Sequence, residues 1–233
     1  MFDRARIFIG FDNRQPVSYN VLQFSILARA RRPVELIPLV LHQLPVQRAG
    51  LTPFTYSRFL VPWLCDYTGW ALFMDSDMLV QDDIYNLWEL KDPDCALQVV
   101  KGAERFEWAS LMLFNCEKNK ALTPLHVSAS PSLFHFDWLP PQQVGTLPAR
   151  WNHCVGYDDA CGNPSLIHYT CGVPGFEETK TCEHADRWFA EFDMLRSMQP
   201  WNTIMGASRH NVDGKPRSAG SEQPALAAPV QPD

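Results

Sequence analysis

Three things are scarce in this sequence, and each scarcity excludes a class of protein. Long apolar runs are missing: no stretch approaches the roughly 20 consecutive apolar residues of a membrane-spanning helix. Positive charge is outweighed, with a net charge of −6 and a pI near 5.6. That balance argues against a nucleic-acid partner, which wants a basic face. Closely paired cysteines are missing too. The seven cysteines are an odd number without a Cys-x-x-Cys pair. Cys154, Cys161, Cys171 and Cys182 lie among His153, His168 and His184, but a structural zinc site would normally use such a pair. The opening Met1 to Arg6 leads into only a few apolar residues before Asp12, which is no secretory signal. The expectation is a cytoplasmic protein with free thiols, and peripheral contact with a membrane stays open.

What is present is enough for one sizeable domain: 233 residues, 46% hydrophobic and 12% aromatic. Arg6 to Phe11 reads as a buried strand, and Gln15 to Ala30 as a helix with Val17, Val21, Phe24 and Ala28 on one face. Val34 to Leu41 reads as a second strand, in which Pro38 marks an edge or an irregularity. Thr55 to Asp66 reads as a short helix and Trp70 to Met74 as a third strand. Asp83 to Leu87 reads as a helical turn, with strands at Ala96 to Val100, Ser110 to Asn115 and Leu166 to Tyr169. Ala185 to Met198 reads as a final helix. The β–α–β opening predicts an α/β fold with parallel strands. From about Gly206 the residues turn to Ser, Gly, Pro and Ala. The expected organisation is a domain over 1–205 and a disordered tail over 206–233.

The most telling segment is Phe73-Met74-Asp75-Ser76-Asp77-Met78-Leu79-Val80. An apolar strand runs into two carboxylates, which are costly to bury unless something positive meets them. In extended backbone the side chains of Asp75 and Asp77 share one side, so both can converge on one cation. Hard oxygen ligands suit Mg2+ or Mn2+, which bridge phosphates. Asp12 ends the first strand as Asp75 ends the third, and ligands of open α/β sheets bind beyond such strand ends. The plainer reading of Asp12 is a turn or helix cap.

These segments resemble family-eight glycosyltransferases, the glycogenin-like and bacterial lipopolysaccharide sugar transferases. The resemblance rests on Thr55-Tyr56-Ser57-Arg58-Phe59, on Trp70 to Val80 with its Asp-x-Asp, on Leu87-Trp88, and on Phe11-Asp12. It continues through Ser110 to Asn115, through Leu147 to Asn152, and through His168 to Gly172, so it covers about the first 175 residues. It implies a GT-A fold: a single mostly parallel sheet flanked by helices. It implies transfer of a sugar from a nucleotide-diphosphate donor, most simply a UDP-sugar, to an unknown acceptor, with retention. By position, Asp75, Asp77 and His168 would hold Mn2+ or Mg2+. Phe11 and Asp12 would lie near the base, with Arg58, Ser76 and Gly172 near the donor. Asp137 would be the catalytic acid beside the acceptor, with Trp138 replacing the family's glutamine. The family's lysine in the loop after the histidine is absent from His168 to Phe176. Two rivals share the motif: a haloacid-dehalogenase-type phosphatase with Asp75 as nucleophile, and a nucleotide-sugar binding module without turnover.

Overall fold

Both faces of the central sheet are covered, which is why its strands are near-continuous apolar runs rather than alternating ones. In the computed structural model, which describes residues 3–48 and 50–197, β1 (Arg6–Gly10) pairs in parallel with β2 (Glu35–Leu39) and with β3 (Trp70–Met74). Phe8 and Phe73 face one core layer, while Ile7, Ile9, Leu72 and Met74 face the other. The second layer is closed by α1 (Pro16–Arg29), which turns Val21, Leu22, Ser25 and Ile26 inward. Pro16 sits in its first turn, where a missing N–H costs nothing. β2 is indeed an edge strand, where Pro38 leaves no ladder bond unmade on a further neighbour.

The expected helix after Thr55 forms as a tight turn over Ser57–Leu60 running into α2 (Val61–Leu64). Downstream, α3 (Ile84–Trp88) is capped by Asp83, whose carboxylate accepts the Tyr85 backbone N–H at 2.9 Å. The sheet is completed by β5 (Leu97–Val99), β6 (Leu111–Asn115) and β7 (Val144–Thr146), in the order β2-β1-β3-β6-β5-β7. β6 runs against its neighbours β3 and β5, and the other five strands share one direction. The sheet is therefore mostly parallel, as expected.

It is accompanied by a second, smaller sheet. β4 (Met78–Val80), β8 (His153–Cys154) and β9 (Leu166–His168) form it in the order β4-β9-β8. Strands of two or three residues are too short to show a period. The chain further contains α4 (Pro124–Ala129), in the proline-rich stretch, and α5 (Ala185–Ser197). The chain divides into two units, Met1–Phe192 and Asp193–Asp233; the site lies in the first. The expected tail, 206–233, falls outside the described residues. Among the described residues, no helix is long and apolar enough to cross a membrane, and all seven cysteines are free thiols.

A candidate active site where two sheets meet

Asp75 and Asp77 sit on either side of a one-residue seam. The Asp75 N–H still bonds to Ser110 O at 3.0 Å, extending the β3–β6 ladder. Two residues on, Asp77 O accepts the Tyr169 N–H at 2.9 Å, extending β4–β9. The large sheet thus places Asp75, the small sheet places Asp77, and β9 places His168 at the same seam. The ligating atoms of Asp75, Asp77 and His168 lie within 4.8 Å of one another.

Each of the three is held from behind. Arg58 is buried at 6% exposure and forks onto Asp75, with Nη1 3.2 Å from Oδ2 and Nη2 3.0 Å from Oδ1. Its remaining donors go to Ala109 O at 2.8 Å and Phe54 O at 3.3 Å, so Arg58 anchors Asp75 rather than lining open space. His168 Nε2 lies 3.3 Å from Asp77 Oδ1. On the ring's other side, Nδ1 faces Asn152 Oδ1 at 3.1 Å and Glu107 Oε2 at 3.5 Å. Asn152 Nδ2 donates to Ser110 Oγ at 2.9 Å, which fixes the amide so that its oxygen faces the ring. With acceptors at Nδ1, the neutral imidazole carries its proton there and turns the Nε2 lone pair toward Asp77.

The electrostatics ask for a cation. Burial pushes the Asp75 carboxyl up to about 7, against the pull of Arg58 and with the help of Asp77. Burial likewise raises Glu107. Burial alone would lower His168, but the charges of Asp77 and Glu107 outweigh it and hold the ring well above its ordinary value. Three carboxylates (Asp75, Asp77 and Glu107) thus face one permanent cation, Arg58. With His168 protonated the deficit is one charge; an ion that displaces its Nε2 proton meets a deficit of two, which one divalent ion balances. Oδ1 of Asp75 and of Asp77 are buried, each facing one charged neighbour (Arg58 Nη2 at 3.0 Å, His168 Nε2 at 3.3 Å) without a well-aligned hydrogen bond. Two such carboxylate oxygens and an imidazole nitrogen fit a manganese-class ion.

Beside the seam opens a crevice of about 540 Å3, lined by Asp12, Arg14, Ser76, Asp77, Thr170 and Gly172 among others. Phe54 forms part of its wall; Gly10 makes room for that ring, since a Cβ there would lie 2.4 Å from it. Gly172 adopts φ +116°, a conformation that side chains resist. Asp12 is 4% exposed and accepts Arg14 N at 2.9 Å and Arg14 Nη2 at 2.6 Å. The Arg14 guanidinium holds its carboxyl below the usual range. Asp12 therefore shapes the turn and also reaches the crevice. Phe11 does not line the crevice; it packs edge-on against Tyr19 at 5.5 Å.

Asp137 stands apart. It is exposed and lines a separate cavity of about 300 Å3 with Lys101, Arg105 and Trp108. Its aromatic neighbours are packing residues: Phe134 and Trp138 both stand edge-on to Phe59, at 5.3 and 5.6 Å. Residues 105–109 serve both places, since Arg105 and Trp108 line this cavity while Glu107 faces His168. Glu107, Asn152 and Arg14 are the site residues that the sequence reading misses. Asn152 falls within the quoted Leu147–Asn152 segment, and Arg14 lies two residues from Asp12, but neither carried a signal of its own.

The profile of Glycosyl transferase family 8 matches residues 15–122. Protein CDI of Arabidopsis thaliana is 36% identical over 224 residues, spanning 81% of this chain and 86% of that protein. The chain belongs to glycosyltransferase family 8. It is a glycosyltransferase of GT-A fold. Solved structures agree on the fold: the WbbM bifunctional glycosyltransferase gives a TM-score of 0.64 at 17% identity, over 85% of this chain and 52% of that one. GlyE of Streptococcus pneumoniae gives 0.60 at 15%, over 84% of this chain and 63% of that one. The galactosyltransferase LgtC, solved with donor and acceptor sugar analogues, gives 0.58 at 15%, over 82% and 96%. The family-8 chain thus spans about half of WbbM. Membership sets aside the phosphatase reading of Asp75 and Asp77, and the fork from Arg58 leaves Asp75 an anchored group rather than a free nucleophile.

Proposed function

We propose that this family-8 chain transfers a sugar from a UDP-sugar to an acceptor with retention, using Mn2+ or Mg2+ held by Asp75, Asp77 and His168. The observation that carries the reading is the seam itself: two buried carboxylate oxygens without a well-aligned hydrogen bond and one oriented imidazole converge beside a crevice of nucleotide size. Bound there, the ion would neutralise the leaving diphosphate. The chain's own groups do the rest. Arg58 and Asn152 hold two of the ligands in place before the donor arrives, so little reorganisation remains. Asp12 offers an acceptor-only group to the base, which suits the imide hydrogen of uracil. Arg14 is 63% exposed on the crevice wall and supplies positive charge that the missing loop lysine would otherwise bring. Ser76 and Gly172 let the diphosphate approach the backbone. Asp137 lines a cavity separate from the crevice, with Lys101 and Arg105, so on this reading it serves acceptor binding across the turn 105–109 rather than direct contact with the anomeric carbon.

A thermal-shift panel of UDP-, GDP- and ADP-sugars, with and without manganese, tests the reading in wild type and Asp77→Asn. At a hundred times Kd a native-state ligand adds about 2.7 kcal/mol of stability. UDP-sugars should raise Tm in manganese alone, and Asp77→Asn should abolish the rise. An equal rise in excess chelator would refute the metal, and manganese-dependent binding with neither hydrolysis nor transfer would identify a binding module without turnover.

A further inference from the structure

A second group of ligating side chains lies on the other face of the small sheet. Along β8, Cys154 turns toward His168, with Sγ 3.8 Å from Nδ1. Side chains alternate along a strand, so His153 projects the opposite way. There its Nε2 meets Glu183 Oε2 at 3.1 Å, and His184 Nε2 meets Glu183 Oε1, also at 3.1 Å. The ligating atoms of the three lie within 4.8 Å of one another. We propose that His153, Glu183 and His184 form a second metal site, selective for a zinc-class ion, that ties strand β8 to the residues preceding α5. The proposal is independent of the donor reading, since it shares no residue with Asp75, Asp77 or His168.

His153 Nε2 is within hydrogen-bond distance of Glu183 Oε2, and Glu183 Oε1 accepts the Cys161 N–H at 3.1 Å, so His184 is the member of the group that hydrogen bonds leave out. Zinc holds nitrogen and oxygen ligands at about 2.0–2.1 Å, so corners of its tetrahedron stand about 3.3–3.4 Å apart. The His153 Nε2–Glu183 Oε2 edge, at 3.1 Å, is within a few tenths of an ångström of that. His184 Nε2 is buried, in a side chain 10% exposed, and makes no hydrogen bond despite its distance from Glu183. A bonded pair would leave no such orphan; a nitrogen with its lone pair turned to a metal does. Neighbouring side chains usually diverge, yet Glu183 and His184 converge, because His184 adopts the left-handed φ of +59°. Two imidazoles and one carboxylate suit zinc and the late first-row metals, whereas magnesium and calcium want oxygen. On the outer side of the His153 ring, Asp158 Oδ2 lies 4.0 Å from Nδ1, beyond hydrogen-bond distance, and is held in place by Cys154 N at 2.8 Å. Three protein ligands leave a fourth position for water, reachable past Glu183, which is 29% exposed. The ion would close a loop running from His153 to Glu183, and that loop carries Thr170, Gly172 and Phe176 of the crevice wall.

The test uses the full chain with Asp77→Asn, which disables the seam site, after stripping with chelator. Zinc is titrated by calorimetry and cobalt(II) by visible absorption. A single equivalent of zinc, and the intense bands of tetrahedral cobalt, are expected. Adding His153→Phe and His184→Asn should abolish both, together with the zinc-dependent rise in Tm. Absence of tetrahedral cobalt bands in the Asp77→Asn chain would overturn the proposal without any further variant. So would undiminished zinc binding in the histidine variant. Should that variant fail to fold, Glu183→Gln replaces it, with at least a tenfold loss of zinc affinity expected and wild-type affinity fatal to the idea.

Discussion

Removing the divalent ion should make the chain less stable as pH rises, and one residue should account for most of the slope. Asp75 titrates near 7 in the folded chain, against 3.8 when unfolded, because burial beside Asp77 disfavours its charge. Between these values the folded state binds the extra proton, so stability falls with rising pH. The rate is about 1.4 kcal/mol per pH unit, and the whole interval amounts to roughly 4 kcal/mol. Glu107 and His168 act in the same sense: their folded values are raised, so their contributions are present at low pH and lost as pH climbs above their ordinary values. Asp12 and Asp3 are lowered, so theirs is lost only in stronger acid and is constant above about pH 5. For a domain of this size Tm should drop by about 3–5 °C per pH unit between about pH 5 and 7. The assay is differential scanning calorimetry in chelator, for wild type and Asp75→Asn. Asparagine does not titrate, so its curve should be flatter over that window, even though leaving Arg58 without a counter-charge lowers it throughout. Saturating manganese should remove the slope in wild type, since the ion takes the place of the proton. Equal slopes in the two proteins, or a wild-type Tm that rises from pH 5 to 7, would refute the charge deficit inferred at the seam.

Two further expectations concern the donor and the acceptor. Asp12→Ala, titrated with UDP and CDP by calorimetry, should lose most of the preference for UDP; unchanged discrimination would leave Asp12 as a turn residue for Arg14 alone. Asp137→Asn should lower the transfer rate by tenfold or more with donor affinity nearly unchanged, once an acceptor is in hand; wild-type rates would move the chemistry toward the Glu107 side of segment 105–109.

Much of the scaffold was legible because it obeys simple periodicities. Trp70–Met74 is a strand with the bounds its apolar run implies, Pro38 lies on an edge strand, and the helical turn expected at Asp83 to Leu87 forms at Ile84–Trp88. Asp75 and Asp77 stood out because acids at the end of a buried strand require a counter-charge. What stayed hidden lies in short or irregular pieces. Of the small sheet, only the strand expected at Leu166 to Tyr169 was legible; its partners Met78–Val80 and His153–Cys154, of three and two residues, lie below any readable period. Glu107 sits in a tight turn whose charged and aromatic residues face different cavities, so no single pattern marks it. Asn152 acts through His168, across a sequence gap that only the pairing of β8 with β9 closes.

Ser76 is the sole residue between the last hydrogen bond of one ladder and the first of the next. The turn is therefore constrained in length more tightly than in composition. Many small residues could replace Ser76, but one residue gained or lost would shift β4 by one place against β9. Because side chains alternate, that shift exchanges the two faces of β4: Met78 and Val80 would leave the core and Leu79 would turn over. It would also carry the second carboxylate to the far side of the strand. Lineages of this chain can be expected to vary in the letter at this position while tolerating no insertion or deletion there, as with a spacer whose job is to count.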